Sequence, residues 1–149
     1  MITIEEILRE WDADSPISKE HLDDESARIP KLHSKYLQIL SGVRVGLNKR
    51  RQKMERLKLA KKEWMAGRMT KEEIERRGWE YDPFKGASKP MKSEFNEWIS
   101  ADDDVQVLQA EIDSYRLLED TLLDIMNNIN WRHQSIRNAI DWTKFQAGG

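Results

Sequence analysis

The sequence predicts an all-α protein of two long helices plus several short ones, folded as a helical hairpin or bundle. Three observations carry this. Charged residues make up 35% of the 149 and hydrophobic ones 38%, with only seven Gly and four Pro, which suits exposed amphipathic helices better than a sheet buried on both faces. Apolar residues recur at spacings of three and four over two long stretches. The charge is also divided. Lys31 to Lys62 carries eleven Lys and Arg against the single acid Glu55, and Glu94 to Asp124 carries ten Asp and Glu against Arg116 alone, so a formal net charge of -2 hides a basic half and an acidic half.

Thr3 followed by Glu6 reads as a capping box that opens a short helix from Ile4 to about Trp11, and Asp14-Ser15-Pro16 ends it. Ser18 can cap a second short helix through His21 to Glu25. Pro30 then either kinks that helix or opens a new one at its first turn, where its missing N–H costs nothing, and the new start is preferred. From there Leu32, Tyr36, Ile39, Leu40, Val43, Leu47, Met54, Leu57 and Trp64 form one apolar stripe. Gly42 and Gly46 soften this helix without ending it. Extending from about Lys31 to Ala66, it would be roughly 54 Å long at 1.5 Å per residue, which requires a partner helix. Gly67 is its expected stop, and Thr70 with Glu73 makes a second capping box for a short helix ending near Gly78.

Residues 79 to 92, WEYDPFKGASKPMK, hold two prolines and a glycine without helical period and read as a loop. Ser93 is expected to cap a short helix through Trp98, and Ser100 with Asp103 to open the last helix. That helix carries Val105, Leu108, Ile112, Tyr115, Leu122, Met126, Ile129, Ile136 and Ile140 at three-four spacing, with Glu119 and His133 on the same register. Leu118, Leu123 and Ile125 widen the stripe beyond what one partner helix covers, which points to a bundle or multi-subunit packing rather than a two-stranded coil. Residues 1–149 thus read as a single helical domain: a basic half (1–78), a loop (79–92) and an acidic, apolar half (93–149).

The chemistry is narrowed by what is missing. Without cysteine there are no disulfides, thiolate metal sites or cysteine nucleophiles. His21, His33 and His133 are scattered, Asp102 to Asp104 suit a helix N-terminus better than a cation, and Gly42 and Gly46 lack the GK[ST] ending of a phosphate loop. Neither an enzymatic role nor a metal or cofactor is expected. Met1 to Trp11 has no signal-peptide pattern and no run is long enough to span a bilayer, so a soluble, cytosolic protein is expected.

The feature richest in chemistry is NKRRQKMERLKLAKK, Asn48 to Lys62. At 100° per residue, Lys49, Lys53 and Arg56 flank the apolar stripe on one side and Arg51, Lys58 and Lys62 on the other, while Arg50 and Lys61 fall inside it. Polyphosphate is the matching ligand. A purely structural reading lays this helix antiparallel to the acidic one. It does not exclude binding, because surface ion pairs are weak and a phosphate chain competes for exposed cations. In and just before the loop, Arg76, Arg77, Lys85, Lys89 and Lys92 surround Trp79, Tyr81 and Phe84, rings that either anchor the loop or stack unpaired bases.

From about His33 to the C-terminus the chain resembles the UvsY family of recombination mediators of T-even-like phages. The resemblance rests on HSKYL (33–37), the basic helix ending in AGR (66–68), SEFNEWISADDDV (93–105), LLEDTLLDI (117–125) and the tail FQAGG from Phe145. It implies a non-hydrolysing protein that binds single-stranded DNA, promotes loading of a RecA-like phage recombinase and aids displacement of the phage single-strand-binding protein. The setting would be DNA recombination, repair and recombination-dependent replication in the cytoplasm of the infected host cell. The family's basic motif falls on Lys58 to Lys62, where Lys61 matches a basic position and Leu59 replaces a second cation. The resemblance also implies a closed ring, a hexamer or heptamer, built through the C-terminal helix.

The expected DNA-binding residues are therefore Lys49, Arg50, Arg51, Lys53, Arg56, Lys58, Lys61, Lys62 and Arg68. The expected oligomerisation residues are Leu122, Ile125, Ile129, Ile136, Ile140 and Trp142. Two alternatives compete: a coiled-coil structural or adaptor protein that ignores DNA, and an architectural protein that prefers duplex.

Overall fold

In the computed structural model residues 1–148 are described, and among them there is no strand. Five α-helices are formed: α1 (Ile4–Asp14), α2 (Leu22–Met65), α3 (Lys71–Arg77), α4 (Phe95–Ser100) and α5 (Asp103–Gln146), with a 3-10 turn at Lys92–Glu94 leading into α4. The chain clusters into two units: residues 1–46 with 114–149, and residues 47–113. The long helices α2 and α5 each supply a segment to both.

In the first unit the two long segments run antiparallel, since Arg44 pairs with Glu119 at 3.1 Å and Glu25 with Arg132 at 3.0 Å. Ile7, Leu32, Tyr36, Leu40, Val43, Leu118, Leu122, Ile125, Ile129 and Ile136 are buried. Gly46 has a packing reason: a Cβ there would stand 2.4 Å from Cε1 of the buried Tyr115 ring.

α1 opens with the expected reciprocal box, Glu6 N–H donating to Thr3 Oγ1 at 3.1 Å and Thr3 N–H to the Glu6 carboxylate at 2.9 Å. It runs to Asp14, beyond the expected end near Trp11. The new helix expected at Pro30 is corrected. α2 begins at Leu22 and carries Pro30 in its interior, in place of a separate short helix. Proline there forfeits one backbone bond to the Ser26 carbonyl, normally about 3 kcal/mol unfavourable. The segment is held instead by a buried arginine clamp. Arg132, almost fully enclosed, donates to the carbonyls of Ser15 (2.8 Å), Pro16 (2.9 Å) and Asp14 (3.4 Å) and to the Glu25 carboxylate. Arg28 donates to the same Asp14 and Pro16 carbonyls and to Glu25.

Beside this clamp Lys35 Nζ lies 2.6 Å from both Glu10 and Asp14, and the Tyr36 hydroxyl donates to Asp14 at 2.8 Å. Burial alone would raise the two central carboxyls. The bonds from Lys35 and Tyr36 to Asp14, and from Arg28 and Arg132 to Glu25, outweigh it and hold both below the usual carboxylate range.

The apolar register of α5 also differs in two places. Leu118 and Arg132 are buried where Glu119 and His133 were expected; Glu119 turns to Arg44 and His133 is exposed. The expected start of α5 shifts as well. Ser100 is the last residue of α4, and Asp102 caps α5, its Oδ2 accepting from the N–H groups of Asp104 (3.0 Å) and Val105 (3.2 Å). Aspartate caps at least as well as serine and adds its charge to the positive helix end.

In the second unit Leu47, Met54, Trp64, Met65, Ile74, Phe84, Phe95, Ile99, Val105, Leu108 and Ile112 are buried. α2 ends at Gly67 in the left-handed conformation, with Arg68 N–H closing back on the Glu63 carbonyl at 3.0 Å, and α3 ends likewise at Gly78. At α3 only half of the expected box forms. Thr70 Oγ1 accepts from Glu73 N–H, but the Glu73 carboxylate is taken by Arg76 and Arg77. Ser93 is not the cap of α4; it lies in the 3-10 turn, where Met91 N–H donates to Glu94.

Candidate nucleic-acid interface

All nine cations expected to contact DNA lie in the second unit, eight of them on α2 and Arg68 just after it. Helical spacing sorts them as the sequence implies. Lys49, Lys53 and Arg56 form one exposed strip and Arg51, Lys58 and Lys62 another, on either side of the buried face of Leu47, Met54 and Met65. Among the described residues none of these six takes part in an ion pair within 4 Å. Chemically, two strips of ammonium and guanidinium groups on one helix can take a polyphosphate without first breaking a pair.

The other three are placed differently. Arg50, half-buried, faces Glu111 at 3.4 Å. Lys61 is only 2% exposed, with Nζ 3.0 Å from Asp102 and 2.9 Å from Asp104, and lies over the rings of Trp79 (3.8 Å) and Trp64 (4.7 Å). Two carboxylates and two ring faces replace the water that a buried ammonium loses. Arg68 is exposed but forks onto Glu63 with bonds of 2.8 and 2.9 Å.

The loop divides in the same way. Phe84 is buried, packed on Phe95 and edge-on to Trp98 at 5.3 Å, and Trp79 leans on Trp64 at 5.0 Å while Trp64 Nε1 donates to the Glu80 carbonyl. These rings are anchors. Tyr81 stands out, 74% exposed.

Of the residues expected to join subunits, Leu122, Ile125, Ile129 and Ile136 are already buried within the first unit, because the chain's own helices cover that stretch of the stripe. Ile140 and Trp142 remain exposed at 37% and 60%, and Trp142 stacks on the exposed Phe145 at 5.5 Å. Sequence reasoning missed Arg132, whose only signal is a cation three residues after Ile129 and four before Ile136.

Among the described residues no helix is long and apolar enough to cross a membrane, and no group of three or more His, Asp or Glu is placed to hold a metal ion.

Among the described residues the chain is all-helical and carries two exposed cationic strips on one long helix, a surface whose chemistry suits a polyanion. The family described as recombination, repair and ssDNA binding protein UvsY matches residues 10–149, and the chain belongs to that family. Its fold is similar to two crystal structures of the bacteriophage T4 recombination mediator protein UvsY. In one lattice the TM-score is 0.83 at 22% identity over 99% of both chains, and in a second it is 0.80 at 20% identity over 97% of this chain and 99% of that one. No curated protein matches.

Proposed function

We propose that this recombination mediator holds single-stranded DNA on the exposed cations of α2, promotes loading of a RecA-like phage recombinase onto that strand and aids displacement of the single-strand-binding protein. It acts in the cytoplasm of the infected host cell and hydrolyses nothing. The observation that carries the reading is the set of six exposed cations, Lys49, Arg51, Lys53, Arg56, Lys58 and Lys62, outside every ion pair among the described residues, in a member of an ssDNA-binding family. Arg50 and Lys61 support that surface from beneath.

Individual cation–phosphate pairings of this kind are weak. A homo-oligomeric ring, hexamer or heptamer, repeats them and makes every pairing after the first intramolecular, so a strand wraps and is held extended. Of the residues expected to join subunits, Ile140 and Trp142 stay exposed to build that ring, beside Leu117, Leu123, Trp131 and Phe145 of the same helix.

The test is binding of labelled oligo-dT across a salt series with oligomer mass recorded in the same buffers. Tight binding that falls steeply with salt supports the reading. An intact oligomer that ignores oligo-dT at low salt refutes it in favour of a structural coiled-coil protein, and preference for duplex over single strand refutes it in favour of an architectural one. Trp142→Ala with Ile140→Ala is expected to lower the oligomer mass and, with it, the apparent affinity.

A further inference from the structure

The two cationic strips of α2 are not equivalent. Beside the strip of Arg51, Lys58 and Lys62, a notch of about 220 Å³ is lined by Lys58, Leu59, Lys62, Asn96, Ile99 and Ser100, all within the second unit. Lys58 and Lys62 are one turn apart on α2, and Asn96 and Ser100 are one turn apart on α4. Two point charges thus share a cavity with a carboxamide and a hydroxyl.

Its apolar lining distinguishes it from a plain phosphate patch. Ile99 is buried, but Leu59 is 61% exposed in the middle of a cationic face, where a leucine gains nothing from solvent. Phosphate oxygens need donors alone; an apolar surface beside them suits the face of a sugar or base. A carboxamide can both donate to and accept from a base edge or a sugar.

We infer that this notch is a nucleotide subsite for a single strand, Lys58 and Lys62 taking a phosphate while Leu59 and Asn96 meet the attached nucleoside. The inference rests on the proposed function and deepens it. It brings α4 into the interface and makes the Arg51–Lys58–Lys62 strip the strand's path there. Leu59, where the family's motif would place a cation, then contributes apolar area in place of charge.

The experiment measures affinity and its salt slope in the full-length protein for oligo-dT and for an abasic strand of equal length. Asn96→Asp places a carboxylate that repels phosphate and pairs with the two lysines. Affinity for both strands is expected to fall about five- to twenty-fold, and the slope of log K against log salt to shrink by about 0.7 for each lysine withdrawn. Leu59→Ser is expected to weaken oligo-dT several-fold and the abasic strand, which keeps only the sugar, distinctly less. Both positions are exposed, and helicity and oligomer mass confirm an intact fold. Should wild type bind while both variants match it on both strands, the subsite is overturned and the broader reading stands. Equal weakening of both strands by Leu59→Ser overturns the contact with the base. Failure of wild type to bind oligo-dT overturns the proposed function and the subsite with it.

Discussion

Replacing Lys61 by methionine separates two roles that a basic run in a sequence cannot distinguish. Methionine keeps the stem's volume, so the loss is the ammonium itself. Its removal leaves Asp102, largely buried, and Asp104, about half exposed, without their cation, and takes a charge from over two tryptophan faces. Breaking a buried pair by deleting one partner costs about 3–5 kcal/mol, and the solvation still open to Asp104 lowers this to about 2–3 kcal/mol. At this chain length that is a fall of roughly 5–10 °C in Tm. Adding Asp102→Asn removes an orphaned charge while keeping a competent helix cap, and should restore about 1 kcal/mol. The paired assay is thermal unfolding and the salt dependence of oligo-dT binding below the transition. Each phosphate of a single strand that a cation ceases to neutralise lowers the salt slope by about 0.7. Lys58→Ala should show that drop with little change in Tm, and Lys61→Met the reverse. An unchanged Tm with a reduced slope for Lys61→Met would refute the burial argument.

Arg132→Met should be among the most destabilising changes in the first unit, by about 2–3 kcal/mol in urea unfolding, because the Ser15 carbonyl loses its donor and the Asp14 and Pro16 carbonyls and Glu25 are left to Arg28 alone. Gly46→Ala and Gly42→Ala should differ in sign. The first drives a methyl into the Tyr115 ring and costs about 1–3 kcal/mol, while the second has open space and gains about 0.5–1 kcal/mol of helix propensity, both read from the same urea midpoints. For pH, Asp14 and Glu25 bind protons less readily folded than unfolded. Their contribution is complete above the unfolded carboxylate values near 4 and is lost as pH falls through the depressed folded values, which a series of urea midpoints from pH 6 to pH 2 would record. A flat series would remove those carboxyls from the account.

What was legible from sequence is what depends on neighbours within a turn or two. The Thr3–Glu6 box and the glycine stops at Gly67 and Gly78 are local chemistry. The projection of Arg50 and Lys61 into the apolar stripe follows from helical geometry alone, and both prove partly or wholly buried. Their partners were not legible, because Glu111 and Asp104 come from the other long helix and Asp102 from its cap. The same limit hid Arg132, which binds groups 107 to 118 residues away. Pro30 misled because its local preference to open a helix is overruled by packing and the clamp beside it. Ser100 and Asp102 are both good caps two residues apart, and sequence alone does not choose between them. The oligomerisation stripe was read by period, which marks an apolar face without saying whether the chain's own helices already cover it.

The grip of Arg132 and Arg28 on residues 14 to 16 falls mostly on main-chain oxygens. Every residue type carries a carbonyl, so such a lock does not depend on which side chains form the connector between α1 and α2. Ser15 and its neighbours at 17 to 19 are left free to drift, while the two guanidinium groups that read the backbone are not. A relative could therefore share this joint intact with scarcely a letter in common along the connector, recognisable instead by a glutamate and an arginine three residues apart and a second arginine far along the chain.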